Sequence, residues 1–295
     1  MHFHGPIIRP QTDALNSTFL EVTVGCSHDQ CKFCSFYDGY PFRMAPLEQI
    51  EADLKEIAQF DPNTSKIWAS GGNPYVMNVK RLATIGQLIR QYLPKARIST
   101  YAHVNDVLAK SVEEIAYLKT QGYVDIVIGI ESADDAVLQA MNKGYTVADI
   151  REAFARLEAA AVDYRIIYLG GLAGKGRCVE SAQKTAAVLN DFCPKAMILT
   201  TVAILPGTEL YAEWQAGLFE AATEKERVEE FRALVAGLQN DIHIFAQTST
   251  DFVGFTAQLQ ADKADVLAQL DAAIADFTPE LEARLSAFRA QMTQV

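Results

Sequence analysis

Residues 18–34 read TFLEVTVGCSHDQCKFC, an apolar, β-branched run that passes directly into a loop with three cysteines. Residues 18–24 have the composition of a buried strand. The loop carries Cys26, Cys31 and Cys34 in a C-x4-C-x2-C spacing. Three thiolates can face one [4Fe–4S] cluster, and because such a cluster has four irons, three cysteine ligands leave one iron open to bind a small molecule. The stretch therefore predicts a strand that ends at a reactive metal site.

A zinc site is the alternative for this loop, because His28 lies between the cysteines and Cys3His zinc sites are common. A structural zinc site usually organises a small domain that lacks a core of its own. This chain has ample apolar sequence for a core, so the iron–sulfur cluster is favoured. Buried cysteines without a metal are favoured least, since Lys32, His28 and Asp29 make the loop polar.

Outward from this loop, short β-branched runs alternate with longer helical patterns from residue 17 to about residue 240. The predicted strands are residues 18–24, 66–69, 97–101, 124–130, 164–169 and 196–203. The predicted helices between them are residues 47–59, 79–93, 111–121, 147–160, 178–190 and 224–239. Six βα units of this kind form a barrel or a doubly wound sheet, with functional residues at the carboxyl ends of the strands.

Three regions are predicted. Residues 1–16 hold two prolines and are expected to form an extended arm. Residues 17–240 are the (β/α)6 core domain, and residues 241–295 are a helical extension with helices at 261–276 and 279–292. The predicted fold class is thus α/β, a partial (β/α)6 TIM-like barrel of parallel strands with a C-terminal helical extension.

Composition narrows the class of protein. The formal net charge of -11 disfavours a broad nucleic-acid surface, so nucleic acid is an unexpected partner. The chain has no apolar run long enough to cross a membrane and no signal-peptide pattern at its start, so we expect a soluble, cytoplasmic protein without a membrane partner. Five cysteines, three of them in one loop, suit an intracellular metal site better than disulfides.

The cysteine loop resembles that of the radical S-adenosylmethionine (radical SAM) superfamily. Phe33 takes the aromatic position just before the last cysteine, and the loop has one residue more than the superfamily's commonest spacing, as in a bacterial branch of uncharacterised members. The resemblance implies two cofactors, a [4Fe–4S] cluster on Cys26, Cys31 and Cys34, and S-adenosylmethionine (SAM) at the open iron. It also places Phe33 among the cofactor-binding residues.

The same resemblance assigns residues downstream. Gly71, Gly72 and Asn73 stand at the superfamily's "GGE" position, which meets the amino group of the methionine moiety. The expected acid is replaced by Asn73, whose amide oxygen accepts from an ammonium but lacks the charge. Glu131 is assigned to the ribose hydroxyls, and a solvated helix-capping acid is the alternative for it.

The remaining site residues follow the later strands. Arg165 and Arg177 are expected to contact the SAM carboxylate, and Leu205 the adenine ring. The glycine-rich segment 170–177 lacks the P-loop order, so a nucleoside triphosphate site is rejected. Ser99 and His103 close the third strand, where Ser99 is expected to orient cofactor or substrate. His103 is the candidate catalytic acid or base, although a hydrogen-bonded packing role is the commoner one for a lone histidine.

The predicted function is reductive cleavage of SAM to a 5′-deoxyadenosyl radical that abstracts hydrogen from a substrate the sequence does not identify. The expected partners are that substrate and an electron donor such as flavodoxin or ferredoxin. One alternative is a non-catalytic iron–sulfur or zinc protein with a sensing or scaffolding role. A metal hydrolase is disfavoured, since the chain has only five histidines, two of them in the arm.

Overall fold

The structure is a computed structural model that describes residues 1–13 and 15–293. Its strands are β1 (Thr18–Glu21), β2 (Thr23–Val24), β3 (Arg43–Met44), β4 (Lys66–Ser70), β5 (Arg97–Ala102), β6 (Tyr123–Glu131), β7 (Asp163–Gly170), β8 (Ala196–Thr201), β9 (His243–Ala246) and β10 (Phe255–Gln258). Each of the six predicted strands is present at its predicted place, although the first is split into β1 and β2.

The helices are α1 (Leu47–Phe60), α2 (Val79–Tyr92), α3 (Val104–Leu108), α4 (Val112–Thr120), α5 (Asp135–Ala140), α6 (Val147–Ala159), α7 (Cys178–Leu189), α8 (Glu209–Gln215), α9 (Glu224–Gly237), α10 (Leu259–Ala275) and α11 (Pro279–Ala290). Short 3-10 turns lie at Gln11–Asp13 and Pro74–Val76. Strands and helices alternate as predicted, which confirms the α/β class. No helix in the described part of the chain is both long and apolar enough to span a membrane.

The chain divides into two compact units. The first comprises Met1–Asp29, Phe36–Gly129 and Glu152–Arg165, and the second comprises Gln30–Ser35, Ile130–Arg151 and Ile166–Val295. In the first unit β1, β4, β5 and β6 pair in parallel in that order, while β2 and β3 form an antiparallel pair. In the second unit β9 pairs in parallel with β8, and β10 runs antiparallel to β9.

Helix α1 shows how each unit covers its strands. Its sequence LEQIEADLKEIAQF places Ile50, Leu54 and Ile57 at i, i+4 and i+7, on one face of the helix. All three are buried, as are Ile67 and Trp68 of β4 in the same unit. Burying a leucine or isoleucine side chain stabilises the fold by about 1.5–3 kcal/mol, so this single stripe holds the helix down.

The region after residue 240 differs from the prediction. The two predicted helices are present as α10 and α11, but β9 and β10 precede them and were not predicted. Both strands have only four residues, and β10 buries only Phe255 and Ala257 on one face. A pattern this short does not stand out from a loop, and only pairing between the two segments defines it. The three short helices α3, α5 and α8 were also not predicted, because they are too short for a helical apolar pattern to be recognised.

A buried network of charges ties the amino-terminal parts of the strands in the first unit. Asp125 of β6 accepts hydrogen bonds from Arg165 Nε at 2.9 Å, Arg165 Nη2 at 2.6 Å and Ser99 Oγ at 2.6 Å. Arg165 also donates to Asp13 at 2.7 Å, and Lys66 forms ion pairs with both Asp13 and Asp125. Ser99 and Asp125 lie opposite each other in the β5–β6 register. The network joins β4, β5, β6 and β7 to the arm.

We predict that Arg165→Met lowers the free energy of unfolding at neutral pH by about 3 kcal/mol, because the buried Asp13 and the partly buried Asp125 then share Lys66 as their cation. Burial would raise the pKa of Asp125, but Arg165 and Ser99 hold it below its usual range. A carboxyl group whose pKa is lower in the folded state stabilises the fold at any pH above its unfolded pKa. This stabilisation is lost as the pH falls through the folded pKa. The gap between wild type and variant should therefore shrink below about pH 4.

Urea unfolding from pH 3 to pH 8 measures this effect. Arg151→Met is the control, since Arg151 and its partner Asp191 are 42% and 57% exposed and their pair contributes less than about 1 kcal/mol. Equal losses in the two variants, or an Arg165→Met loss that does not change with pH, would contradict the role given to the network.

Candidate cofactor site

The first half of the cysteine loop lies against the glycines that follow β4. The N–H of Gly72 donates to the carbonyl oxygen of Gly25 at 3.0 Å. A Cβ at position 72 would lie 2.4 Å from that oxygen and 2.6 Å from Cα of Cys26, and one at Gly71 would lie 1.9 Å from Thr23 Oγ1. No side chain fits there, so the two glycines are required by close packing of backbone on backbone. They fix the position of Cys26.

The Asn73 side chain continues this contact. Asn73 is 3% exposed, and its Oδ1 accepts from the backbone N–H of Ser27 at 2.9 Å. Its Nδ2 donates to Ser27 Oγ at 2.8 Å and to Asp106 Oδ2 at 2.8 Å. A backbone N–H can only donate and a carboxylate accepts, so these partners determine which way the amide points. The residue that replaces the expected acid thus binds the loop one position after Cys26.

Asp106, which the sequence did not single out, lies behind Asn73. It belongs to α3, is 5% exposed, and its Oδ2 also accepts from the backbone N–H of His103 at 2.8 Å. Burial raises the pKa of Asp106 to about 6, although His103, Asn73 and Lys110 favour the charged form. The carboxylate is therefore ionised at neutral pH. Lys110 Nζ donates to the carbonyl oxygens of Tyr75 and Asp106, and burial lowers the pKa of Lys110 to about 8.

His103 begins α3 at the carboxyl end of β5. Its ring stacks on the ring of His28 in the cysteine loop, with centroids 4.7 Å apart and planes inclined by 26°. Its Nδ1 lies 3.4 Å from the N–H of Asn105, the distance of a long helix-capping bond. The structure thus brings the predicted candidate acid or base against the loop. A catalytic role for it stays a prediction.

The second half of the loop is fixed within the second unit. The N–H of Cys34 donates to the carbonyl oxygen of Cys31 at 3.0 Å, which closes a tight turn. Lys32 anchors this turn, because its N–H donates to Met141 at 3.2 Å and its carbonyl oxygen accepts from Leu210 at 2.8 Å. Cys26, Cys31 and Cys34 are all partly exposed. Among the described residues, no three His, Cys, Asp or Glu side chains converge closely enough for a single metal ion.

Phe33 points away from solvent in this turn. It packs against an apolar cluster of the second unit, made of Val137, Met141, Leu172, Val202 and Leu210. Lys143 Nζ lies 5.6 Å from the centroid of the Phe33 ring, within reach of a cation–π interaction. The aromatic residue between Cys31 and Cys34 therefore anchors the turn.

Glu131 ends β6 in an unusual conformation. Its φ is 62°, in the left-handed region that non-glycine residues rarely adopt, and its side chain is 12% exposed. Lys143 Nζ lies 3.3 Å from Glu131 Oε1 and is itself 6% exposed. Burial raises the pKa of Glu131, and the ammonium of Lys143 opposes that rise. Lys143 was not predicted as a site residue.

Arg177 and Leu205 occupy loops at the carboxyl ends of β7 and β8. Arg177 is 44% exposed, and its Nη2 lies 3.6 Å from Asp134 Oδ2. Leu205 is buried, and its carbonyl oxygen accepts from Thr208 Oγ1 at 2.8 Å, just before α8. Both residues lie at the strand ends where cofactor contacts were expected, and their contacts with SAM stay predictions.

Ser99 and Arg165 are brought together, but elsewhere on their strands. Each is the third residue of its strand, and both bind Asp125 in the network described above. These positions belong to the amino-terminal part of the strands, whereas functional residues in such folds follow the carboxyl ends. The guanidinium of Arg165 is already paired with two carboxylates. The predicted cofactor role of these two residues therefore gains no support from their contacts.

The glycine-rich segment 170–177 has a packing role in the second unit. The N–H of Gly171 donates to Glu230 Oε2 at 2.7 Å, and Tyr168 donates to Glu230 Oε1 at 2.6 Å. Arg227 Nη1 donates to the carbonyl oxygen of Val202 at 3.2 Å. Arg227 and Glu230 are both buried in α9. Small residues in the segment leave room for these side chains.

Comparison with known proteins bears on this site. The family model described as the radical SAM superfamily matches residues 20–185, which is more than half of the chain and includes the cysteine loop, the glycines, Asp106 and Glu131. This is the family that the cysteine loop resembled in the sequence alone.

Solved structures share the fold. Elp3 from the archaeon Methanocaldococcus infernus is 15% identical over 87% of this chain and 63% of its own, with a TM-score of 0.54. Coproporphyrinogen III oxidase (HemN) from Escherichia coli, a radical SAM enzyme, is 17% identical over 75% of this chain and 51% of its own, with a TM-score of 0.55. Methylornithine synthase (PylB) is 14% identical over 92% and 85%, with a TM-score of 0.54. This chain thus spans about half to two-thirds of the first two proteins.

We predict that Gly72→Ala displaces the cysteine loop, because the new methyl group would overlap the backbone at Gly25 and Cys26. Overpacking of this kind costs about 1–3 kcal/mol, so the free energy of unfolding measured with urea should fall by that amount. The iron bound after anaerobic reconstitution should fall as well. Gly254→Ala is the control, since its nearest neighbour would lie 3.5 Å away. Unchanged stability and iron content in Gly72→Ala would refute the requirement for glycine.

Proposed function

This chain belongs to the radical SAM superfamily, and from that premise we propose that it cleaves SAM reductively at a [4Fe–4S] cluster and uses the resulting 5′-deoxyadenosyl radical to abstract hydrogen from a substrate. The match over residues 20–185, which contains the three-cysteine loop, carries the proposal. The reduced cluster, when bound, supplies the electron that breaks the carbon–sulfur bond of SAM. The protein's own residues bind, orient and enclose the reactants.

Membership confirms the predicted family and its cofactors, a [4Fe–4S] cluster and SAM. The chain is an enzyme of the radical SAM class, and such enzymes take a substrate and a reductant. A non-catalytic scaffold is not favoured, since the family model that matches the chain is that of the radical SAM superfamily. The substrate remains unidentified, because structures of such low identity show the fold alone.

We propose Cys26, Cys31 and Cys34 as the cluster ligands. Their thiolates are the donors that iron–sulfur clusters use, and all three are partly exposed rather than sealed in the core. Each half of the loop has its own anchors, Gly72 and Asn73 for Cys26, and Met141 and Leu210 for the turn of the other two. These anchors are backbone hydrogen bonds and one buried amide. The groups that position the three cysteines are therefore not themselves cluster ligands.

We propose that the SAM contacts follow the superfamily pattern. Gly71, Gly72 and Asn73 would meet the amino end of the methionine moiety, and the glycines leave the space that such an approach needs. Glu131 would accept from the ribose hydroxyls, with Lys143 opposing the rise in its pKa that burial causes. The other proposed contacts are with Phe33, Arg177 and Leu205, and less strongly supported ones with Ser99 and Arg165.

The reductant and substrate are proposed by class. A flavodoxin or a ferredoxin would reduce the cluster, as expected from the sequence. The substrate is a molecule with a hydrogen that the radical can abstract, and His103 is the candidate for moving a proton at an imidazole nitrogen during turnover. Enclosure of the site would keep the radical from reacting with solvent.

We predict that Glu131→Gln raises the KM for SAM about tenfold, because hydrogen bonds to a carboxylate are about twice as strong as neutral ones. The iron and sulfide content should stay at the wild-type level. Steady-state kinetics of 5′-deoxyadenosine formation measure KM. Glu180→Gln on α7 is the control, since that residue is exposed and pairs only with Lys184 among its described ion pairs. If Glu131→Gln has the KM of the wild type, the proposed contact between Glu131 and SAM is wrong.

The proposed function itself is tested by anaerobic reconstitution with iron and sulfide, addition of dithionite and SAM, and assay of 5′-deoxyadenosine. We expect product from the wild type and loss of at least about a hundredfold in Cys31→Ala, since a missing ligand abolishes the cluster. Cys193→Ala, which removes an exposed cysteine outside the loop, should keep wild-type activity. A full cluster that never cleaves SAM would favour a scaffold, and tightly bound zinc without a cluster would overturn the proposal.

A further inference from the structure

The position at which the superfamily has an acid carries a neutral amide in this chain, yet a carboxylate lies one hydrogen bond behind it. Asn73 Nδ2 donates to Asp106 Oδ2 at 2.8 Å, and both side chains are at most 5% exposed. Asn73 Oδ1 faces the opposite way and accepts from Ser27. A carbonyl oxygen has two lone pairs, so Oδ1 keeps a second acceptor site.

We infer that Asp106 is a positioning residue that acts through Asn73, orienting and polarising its amide so that Asn73 Oδ1 binds the ammonium group of the SAM methionine moiety. The inference rests on the proposed function. It places the negative charge that the superfamily's acid would supply on α3 rather than at residue 73.

The physical argument is one of linked hydrogen bonds. A donor that binds an ionised acceptor shifts electron density toward the far end of its amide, and such linked bonds strengthen one another in a low-dielectric interior. Burial of both residues limits screening of the Asp106 charge by water. An Asn73 amide without this charged partner would still bind Ser27, but its oxygen would be a weaker acceptor for an ammonium.

Other groups that face Asp106 either favour its ionised form or are neutral. The ammonium of Lys110 donates to two carbonyl oxygens, those of Tyr75 and Asp106. The Tyr75 hydroxyl is neutral, because burial raises its pKa. His103 contributes a backbone N–H, and its ring stacks on that of His28. The carboxylate therefore remains a net negative centre behind Asn73 at neutral pH.

A purely structural role is the alternative, because Asp106 also caps α3 by accepting from His103. Asp106→Asn separates the two roles. The same oxygen accepts from both His103 and Asn73, so an asparagine with Oδ1 at that place keeps both hydrogen bonds and removes only the charge. Helix capping should survive this substitution, whereas polarisation of Asn73 should not.

The experiment measures the dissociation constant of SAM by equilibrium dialysis on reconstituted protein without reductant, so that no turnover occurs. At pH 7.5 we expect Asp106→Asn to bind SAM about tenfold more weakly with unchanged iron content and thermal stability. The gap should close as pH falls through about 6, where wild-type Asp106 takes up its proton.

Two further variants sharpen the test. Lys110→Met removes a charge that favours ionised Asp106, so the loss of SAM affinity on acidification should begin at a higher pH. This measurement tests the inference even if the Asp106→Asn protein does not fold. Asp149→Asn is the control, since Asp149 caps α6 by accepting from Thr146 and lies outside the site.

The outcomes are distinct. Equal SAM affinity in wild type and Asp106→Asn from pH 5 to 8, or an unmoved profile in Lys110→Met, overturns the inference and leaves the proposed function standing. A fully reconstituted wild type that binds no SAM overturns both.

Discussion

The close approach of Gly72 to Gly25 is the contact on which the position of Cys26 depends. A backbone hydrogen bond of 3.0 Å joins the segment after β4 to the start of the cysteine loop, and the surrounding space excludes any Cβ. Because the contact is between two main chains, neither segment can shift without the other. Asn73 follows directly and adds three hydrogen bonds to the same loop and to Asp106. The parallel pairing of β1 with β4 therefore contributes to the position of Cys26.

The sequence predicted the parts of the fold that repeat. The six βα units have long periodic patterns, and the cysteine spacing and Gly71-Gly72 are local signals that need no knowledge of distant residues. The strands β9 and β10 escaped prediction because four-residue segments acquire their identity only by pairing. Arg165 shows a different limit, since its strand was predicted but its position along that strand placed it with Asp13 and Asp125.

Asp106 shows why the site could be predicted only in part. In the sequence it lies three residues after His103, and in the structure it caps α3 by accepting from the backbone N–H of that residue. Its second partner, Asn73, is 33 residues away, and no local pattern connects them. Lys143 and Glu131 are closer in sequence, yet their pairing depends on the turn after α5. Charges in this protein are placed by tertiary contacts, which a single sequence does not display.

The left-handed backbone at Glu131 has a consequence for how this protein can change. At a φ of 62° a glycine would relieve a strain of about 1–3 kcal/mol, so the backbone conformation taken by itself favours glycine, although the Glu131 side chain also pairs with Lys143. Under the proposed function the same position must keep a carboxylate for the ribose. Stability and activity thus compete at one residue, and a homologue released from catalysis would be free to drift toward glycine here. The residue type at position 131 of a homologue would thus indicate whether that homologue still cleaves its cofactor.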